Sequence, residues 1–468
     1  MGFNALFSEA FANYPDRPAV LSPSGQVLTF AKLENTVARF AARLRREGVK
    51  PGDQIIPLVD NWAVRLCLWF ALSRLGAAVI FAEKVAPAIA AGIRVDAIIG
   101  FQEQDCEGAR HIVFHQDWTA EDIDNRPMVE PGKIFYTSSG TTGMPKFMSQ
   151  SPMGFVSRLD HARQWCPFEG GCCLITIPEN TAYARTFLFC ALLAGQGVMG
   201  TAKNARETLI AAEKFGVNHI VTTPLILLDL AETVAAGAPG GKVTTITVGG
   251  APAEASLLDT AKRQFQADVI IIAGASEISA FSGSRFDRDD YVYGLVGRPA
   301  HGARIEIWDE NDRPVAAGET GRMAVWVPAE MRAHGYIGGR EIFETSGWLA
   351  TNDRARFDEK GRVVISGRLD EVINIGGTKL APEIIQMIAA KSLGVGQVAA
   401  RKVVGPDGRD ALGLLVVPDH NFDAGQLRLN LAATLSSATE IMIRTVPNLP
   451  VKATGKLDRA AFDVQFST

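Results

Sequence analysis

The sequence predicts an α/β protein with a large multi-layer N-terminal domain and a small α+β C-terminal domain. Its 468 residues are 47% hydrophobic and 21% charged, which provides enough apolar material for a large core and several folding units. Through most of the chain, segments with helical periodicity alternate with short apolar runs typical of buried strands. The last roughly 100 residues carry strand and helix patterns of their own, enough for a separate small domain.

The predicted elements follow in chain order. Apolar residues recur at helical spacing from residue 33 to 44, between a start signal at Thr29 and a stop signal at Gly48. A second apolar helix pattern leads directly into a strand-like run, as in other α/β layer proteins. Strand patterns cover residues 77–81, 172–178, 243–248 and 269–273, and in the C-terminal part residues 397–404, 411–417 and 440–446.

Composition excludes several classes of function. With 47 basic and 51 acidic residues, the net charge is −4 and no long run of one sign occurs, so nucleic acid is not an expected partner. The most apolar stretch, near residues 187–200, is too short and interrupted for a membrane span. Residues 1–11 show no basic leader, so we expect a cytoplasmic protein. Six cysteines without C-x-x-C spacing indicate buried reduced thiols rather than zinc or disulfides.

Hydroxyl side chains, glycines and a lysine are concentrated in residues 136–146. A polyphosphate needs many donors on a backbone that can approach closely, together with a cation such as Lys146. The spacing differs from a Walker A loop, because Met144 and Pro145 separate Gly143 from the lysine. The alternative is an ordinary surface loop. We expect phosphate to be held by Thr137, Ser138, Ser139, Gly140, Thr141, Thr142 and Gly143.

This segment resembles the signature of the adenylate-forming (ANL) superfamily, which contains acyl-CoA synthetases, peptide-synthetase adenylation domains and firefly luciferase. The resemblance implies that ATP and a carboxylic acid give an acyl-adenylate and pyrophosphate, after which the acyl group passes to a thiol. It also implies that the small C-terminal domain is mobile. Segments resembling later family motifs continue as far as Lys456.

Two strand-and-turn segments resemble the family's nucleotide site. Residues 244–252 resemble the strand and glycine turn below the adenine, and residues 269–277 resemble the aromatic-Gly-x-Thr-Glu block. The resemblance makes Glu277 a ligand of the Mg²⁺ that bridges ATP phosphates, for which a single carboxylate is sufficient. Ala273 departs from the family because it replaces the aromatic ring that packs against adenine. The implied nucleotide residues are Gly250, Ala251, Gly274, Ala275 and Ser276.

The C-terminal third carries the remaining motifs. The resemblance implies that Asp353 binds the ribose hydroxyls and that Arg368 contacts the nucleotide. It makes Asp370 a hinge between an N-terminal ATP- and acid-binding domain, residues 1–369, and a C-terminal lid domain, residues 370–468. The sequence Thr454-Gly455-Lys456 resembles the catalytic-lysine loop, so Lys456 would neutralise charge between the carboxylate and the α-phosphate, alongside Lys146 and Glu277.

The acid pocket is expected after the strand of residues 172–178. Acyl-CoA synthetases often show a histidine there, and amino-acid adenylating domains an aspartate, whereas this sequence has Asn180 or Thr181. The small side chains near Ala273 suggest room for a bulky or extended acid. The segment between Phe81 and Pro131 is shorter than in the family, which would trim a surface element or alter one pocket wall. The expected pocket residues are Asn180, Tyr183, Thr223, Gly249 and Ala273.

These observations predict an AMP-forming acid–thiol ligase that uses ATP, Mg²⁺ and CoA. The leading hypothesis is an acyl- or aryl-CoA ligase, because the aspartate that holds an amino group is missing. A second is a stand-alone adenylation enzyme that loads the phosphopantetheine thiol of a carrier protein. A third is a nucleotide-binding homologue with weakened catalysis, suggested by Ala273 and the shortened segment and opposed by Glu277, Asp353, Arg368 and Lys456.

Overall fold

The computed structural model describes residues 2–102, 108–123, 126–138, 146–166, 168, 170–339, 341–369, 373–375, 378–380, 382–390, 392–405, 409–432, 440–452 and 456–466. The chain divides into two compact units. The first unit contains Met1–Tyr291, Gly297–Arg304 and Trp326–Leu349. The second contains Val292–Val296, Ile305–Val325 and Ala350–Thr468.

Helices and strands alternate along most of the chain. The helices are α1 Phe3–Asn13, α2 Phe30–Arg46, α3 Trp62–Arg74, α4 Val85–Ala90, α5 Pro152–Arg163, α6 Ala182–Leu193, α7 Ala205–Lys214, α8 Pro224–Ala235, α9 Ala255–Phe265, α10 Pro382–Ala390, α11 Ala424–Ala432 and α12 Arg459–Val464. Short 3₁₀ turns lie at Gln116–Ala120 and Ala329–Met331. None of the helices within the described ranges combines the length and apolarity needed to cross a bilayer.

The strands are β1 Pro18–Leu21, β2 Val27–Thr29, β3 Gln54–Leu58, β4 Ala78–Ile80, β5 Ala97–Gly100, β6 Arg110–Val113, β7 Ile134–Ser138, β8 Lys146–Gln150, β9 Cys172–Ile175, β10 Gly197–Met199, β11 Val217–Thr222, β12 Thr245–Gly249, β13 Asp268–Ala275, β14 Ser279–Arg285, β15 Leu295–Pro299, β16 Arg304–Trp308, β17 Gly321–Trp326, β18 Trp348–Phe357, β19 Val363–Arg368, β20 Ile373–Ile375, β21 Thr378–Leu380, β22 Val395–Val404, β23 Asp410–Pro418 and β24 Ile441–Thr445.

The first unit is built on two mainly parallel sheets. One has the strand order β14-β13-β12-β11-β9-β10-β1-β2, and its central strands from β13 to β1 pair in parallel. The other has the order β6-β5-β3-β4-β7-β8, with β8 antiparallel to β7. Because parallel strands are buried on both faces, they read as continuous apolar runs, which is the pattern found in the sequence.

Local sequence signals account for the helix boundaries. The Thr29 side chain accepts a hydrogen bond from the backbone N–H of Lys32 at 3.3 Å and caps α2. The Thr181 side chain caps α6 in the same way, accepting from Ala184. Helix α6 is then held by aromatic packing, since the ring of Phe189 lies 4.4 Å from that of Trp69 on α3. This packing fixes α6, the helix that carries Tyr183 and Arg185, both of which are described below.

The second unit contains a group of four neighbouring strands and a small α+β layer. Strands β16, β17, β18 and β19 are neighbours in that order, and β22, β23 and β24 form a three-stranded sheet. The buried side chains of Leu412, Leu414 and Val416 on β23 pack with Ile385 of α10 and Leu427 of α11. The three predicted C-terminal strands are therefore present, with ends shifted by one or two residues.

The mixed α/β fold class is confirmed. Five cysteines within the described ranges are free and buried, as expected for reduced thiols: Cys67, Cys166, Cys172, Cys173 and Cys190. Burial raises the pKa of Cys67 to about 12, so this thiol is unreactive at neutral pH. Asp370 lies outside the described residues, and the boundary placed there stays a prediction.

Candidate active site

The predicted phosphate loop connects two paired strands. Ser138 at the end of β7 pairs with Lys146 at the start of β8, so the two ends of the segment lie side by side. Thr137 lies one residue earlier on β7, opposite Phe147. The loop residues Ser139, Gly140, Thr141, Thr142 and Gly143 lie outside the described residues. The hairpin therefore holds Lys146 at the base of the loop, unlike a strand–loop–helix phosphate site.

A tyrosine connects the two predicted catalytic groups of the first unit. The Tyr336 hydroxyl donates to Glu277 Oε1 at 2.5 Å, and Lys146 Nζ lies 5.7 Å from the centroid of the Tyr336 ring. A β-bridge between Tyr336 and Met148 of β8 fixes the tyrosine backbone. Sequence analysis did not include Tyr336 in the site, although its Gly335-Tyr336 turn could have indicated it.

Glu277 has the properties of a Mg²⁺ ligand. Its carboxylate is partly exposed, and within the described ranges it receives the Tyr336 hydroxyl but forms no ion pair with a lysine or arginine. The described part of the chain contains no cluster of three or more His, Cys, Asp or Glu side chains suited to a metal. A single carboxylate suits Mg²⁺, which takes its other ligands from phosphate oxygens and water. The residues present therefore fit this ion.

The turn that carries Glu277 is held by a buried arginine. Arg158 of α5, 1% exposed, donates to the backbone carbonyls of Ser276 at 2.9 Å and Met331 at 2.6 Å, and also to that of Glu277. It donates as well to the Tyr136 hydroxyl at 3.0 Å. One planar guanidinium thus fixes the backbone on both sides of the predicted metal ligand.

The predicted nucleotide residues of the first unit lie at the carboxyl ends of two neighbouring parallel strands. Parallel strands β12 and β13 pair from Thr245 with Asp268 to Gly249 with Ile272, so their carboxyl ends meet. Gly250 follows β12 with φ of 89°, a backbone conformation that favours glycine. Ligands of parallel α/β sheets bind at such carboxyl ends. The residues gathered there are Gly250, Ala251, Gly274, Ala275 and Ser276.

Three of the predicted pocket residues lie near the carboxyl ends of these strands. The Tyr183 hydroxyl of α6 lies within hydrogen-bond distance of the Thr222 and Thr247 carbonyls, at 3.3 and 3.4 Å. Burial raises the pKa of Tyr183, so the phenol stays a protonated donor. A Cβ on Gly249 would come within 3.1 Å of that phenol. Ala273 is 8% exposed and pairs with a serine of β14.

The other two pocket residues have different surroundings. The hydroxyl of Thr223, which precedes α8, is buried and has no hydrogen-bond partner among the described residues. The Asn180 side chain donates to Glu83 at 2.9 Å and lines a separate cavity of about 1070 Å³. Of the five predicted pocket residues only Asn180 lines this cavity, because its other walls come from segments far apart in the chain.

Two predicted nucleotide residues meet in the second unit. Asp353 of β18 and Arg368 of β19 are cross-strand partners, with 3.6 Å between Oδ1 and the nearest guanidinium nitrogen. The Thr351 hydroxyl accepts from the Asp353 N–H at 3.1 Å, within β18. Both charged side chains are partly exposed and so remain accessible to a ligand.

Lys456 lies beside a short antiparallel pairing in the second unit. The Lys452 N–H donates to the Lys456 carbonyl at 2.8 Å, and Val451 forms an antiparallel bridge with Leu457. Residues 453–455 between them are outside the described ranges. The exposed Lys456 is therefore held next to the bridge between Val451 and Leu457.

Comparison with known proteins gives one family match and many relatives. The sequence model of a family described as AMP-binding enzyme matches residues 7–336. Triostin synthetase I of Streptomyces triostinicus is 26% identical, with 97% of this chain and 92% of that protein covered. The 2-hydroxy-7-methoxy-5-methyl-1-naphthoate–CoA ligase of Streptomyces carzinostaticus is 24% identical, with 97% and 91% covered.

Solved structures give the same fold. The crystal structure of ATP-bound MatB from Rhodopseudomonas palustris superposes with a TM-score of 0.83 at 19% identity, covering 100% of this chain and 99% of that chain. At this identity the similarity concerns the fold, and the family assignment depends on the sequence match over residues 7–336.

Proposed function

Because the chain belongs to the AMP-binding enzyme family, we propose that it activates a small carboxylic acid with ATP and transfers the acyl group to the thiol of CoA. The match confirms the adenylate-forming resemblance and the predicted AMP-forming ligase. In the first step the acid carboxylate attacks the α-phosphorus of ATP. The bond from that phosphorus to the bridging oxygen breaks, and pyrophosphate leaves.

The contact of Tyr336 with both Lys146 and Glu277 carries this proposal. This contact places Lys146, at the base of the predicted phosphate loop, close to a carboxylate suited to Mg²⁺. The Mg²⁺ and the lysine would both offset negative charge on the phosphate oxygens. No protein nucleophile is required, so positioning and electrostatic stabilisation account for the step.

Groups of the second unit complete the proposed mechanism. Asp353 accepts hydrogen bonds from the ribose hydroxyls, and Arg368 contacts the nucleotide beside it. Lys456 stabilises the charge that develops between the carboxylate and the α-phosphate. Rotation of residues 370–468 about Asp370 then admits the thiol, whose sulfur attacks the acyl carbon and displaces AMP.

The choice of acceptor rests on two observations. Asn180 or Thr181 stands where an amino-acid activating enzyme would carry an aspartate, which favours an acid without an amino group. One relative over nearly the whole chain is named as a CoA ligase. A carrier-protein phosphopantetheine is the second candidate, because it presents the same thiol arm as CoA.

Acid-dependent pyrophosphate release from ATP tests the proposal, measured over a panel of fatty, aryl and amino acids with and without CoA. We expect at least one acid to drive release and, with CoA present, to yield a thioester detected by mass spectrometry. Pyrophosphate release without formation of a CoA thioester would favour a carrier protein as the acceptor in place of CoA. Absence of release for every acid, with ATP still bound, would contradict the activation step.

A further inference from the structure

The first unit contains the cavity of about 1070 Å³ that Asn180 lines, and the proposed chemistry gives no role to the rest of its wall. It lies between the ends of β3 and β4, the start of α3 and the segment that leads into α6. Apolar side chains, including Leu58, Trp69, Ile80 and Phe101, form much of its wall. Its volume is in the range of small-molecule binding sites.

A buried cation faces this cavity. Arg185 of α6 lines it and is only 2% exposed. One terminal nitrogen donates to the Asn180 carbonyl, whereas Nε is buried and has no hydrogen-bond partner among the described residues. Within those residues no carboxylate forms an ion pair with this guanidinium. The other arginine of the wall, Arg65, differs because it is paired with Glu179.

Aromatic rings hold the guanidinium in place. It lies 4.3 Å from the ring centroid of Phe81 and 5.2 Å from that of Tyr136. Burial lowers the pKa of Arg185 to about 10, which still leaves the group charged at neutral pH. Glu179 attracts this guanidinium but is itself paired with Arg65, and the cavity wall also carries the carboxylates of Asp60 and Glu83. Because Arg185 forms no ion pair of its own within the described residues, an anion bound to it would offset part of the cost of burying its charge.

The cavity is adjacent to the proposed reaction centre. The Tyr136 hydroxyl donates to the Ser276 carbonyl at 3.1 Å, in the turn that carries Glu277. A single tyrosine side chain therefore separates Arg185 from that turn. On α6, Arg185 is also only two residues from Tyr183, which lies beside Gly249 on the other side of the helix.

We propose that this cavity is a distal subsite for an acid substrate with a second carboxylate, and that Arg185 binds that carboxylate. The planar fork of arginine matches a carboxylate in two parallel hydrogen bonds. The apolar wall accepts the carbon chain or ring between the two acidic groups. The inference rests on the proposed function, since the other carboxylate is the one activated by ATP.

Matched acid pairs test the subsite. Hexanedioate is compared with hexanoate, and benzene-1,4-dicarboxylate with benzoate, in calorimetric binding to the full chain without ATP. We expect a dicarboxylate to bind the parent protein more tightly than its monocarboxylate partner. Arg185→Gln should weaken binding of that dicarboxylate by about tenfold to a hundredfold and leave the monocarboxylate within about twofold. Arg185→Lys should retain part of the preference, and Arg206→Gln on exposed α7 is the control.

The possible results distinguish failure of the subsite from failure of the activation step. Equal affinity of the parent for both members of both pairs, or equal loss for both in Arg185→Gln, would overturn the subsite. A rise in KM for CoA alone in this variant would also overturn it, because Arg185 would then bind an acceptor phosphate. The calorimetric preference needs no ATP, so its presence without pyrophosphate release would leave the subsite in place and reject only the activation step. Thermal melting confirms that each variant is folded, and the lysine variant replaces the glutamine variant if the latter unfolds.

Discussion

At the residue scale, one phenol organises the charged groups of the first unit. Tyr336 donates a hydrogen bond to Glu277 and presents its ring to Lys146, and the three residues come from separate segments. A hydrogen bond to an ionised carboxylate contributes about 1.5–3 kcal/mol, more than a bond between neutral groups. Tyr336 therefore orients the carboxylate that would take Mg²⁺.

Replacement of this phenol tests that role. We expect Tyr336→Phe to lower the rate of acid-dependent pyrophosphate release about tenfold and to raise the Mg²⁺ concentration needed for half-maximal rate. The measurement is a Mg²⁺ titration of pyrophosphate release. Tyr291→Phe, which removes a phenol bonded to the Ala253 carbonyl, is the matched control. An unchanged Mg²⁺ titration would show that the phenol does not orient Glu277.

Lys456 provides the second test at this scale. Lys456→Ala should reduce adenylate formation by about a hundredfold or more, because a positioned cation is removed from the developing charge. Folding should be unaffected, since the side chain is exposed. Lys452→Ala in the same pairing should retain activity. Equal activity of the parent protein and the Lys456 variant would remove this lysine from the mechanism.

At the scale of elements, α5 supports the turn between β13 and β14. Arg158 joins the helix to three backbone carbonyls and one phenol, and these acceptors lie up to 173 positions from it in sequence. The guanidinium is buried, at 1% exposure. The helix therefore acts as a brace for Glu277 rather than as part of the reacting centre.

Removal of this brace should affect both stability and activity. Arg158→Met leaves several buried acceptors without donors, and we expect the free energy of unfolding to fall by about 3 kcal/mol or more. Urea unfolding measures this loss, with Arg163→Met on the same helix as the exposed control. Arg158→Lys should recover part of the stability but keep a raised KM for ATP–Mg²⁺, because an ammonium cannot hold all the carbonyls at once. If the folded Arg158→Lys protein had the same KM for ATP–Mg²⁺ as the parent, Arg158 would contribute only to packing.

At the scale of the whole molecule, acid stability depends on a buried histidine in the larger sheet. His219 of β11 is 1% exposed and shares a 2.8 Å hydrogen bond with Thr247. Burial lowers the pKa of His219 to about 4, against about 6.5 in the unfolded chain. The unfolded state therefore binds a proton that the folded state does not, and stability falls as the pH drops from 6.5 towards 4.

The expected contribution of this histidine is about 3 kcal/mol between pH 7 and pH 4. Chemical unfolding at several pH values measures it in the parent protein and in His219→Gln. The variant should lose less stability on acidification, although it starts from a lower value at pH 7. Parallel pH profiles of the two proteins would show that His219 does not carry this part of the acid sensitivity.

Much of the architecture follows from local sequence patterns. The cap at Thr29, the periodicity of α2 and the three C-terminal strands were predicted because they depend on neighbouring residues and on propensity. The carboxyl-end positions of Gly250 and Ser276 followed from reading each strand to its end. The roles assigned to Asp353, Arg368 and Lys456, and the hinge at Asp370, stay predictions.

The sequence by itself determined the α/β class, several of the helices and strands, and the family, because periodicity and ordered motifs are carried by short stretches of chain. Only the tertiary structure decided which side chains meet. Tyr336 reaches Glu277 across 59 residues, and Arg158 reaches Ser276 across 118. Arg185 faces a cavity assembled from several segments. Such contacts depend on how helices and sheets pack, and no local pattern encodes the partner of a buried charge.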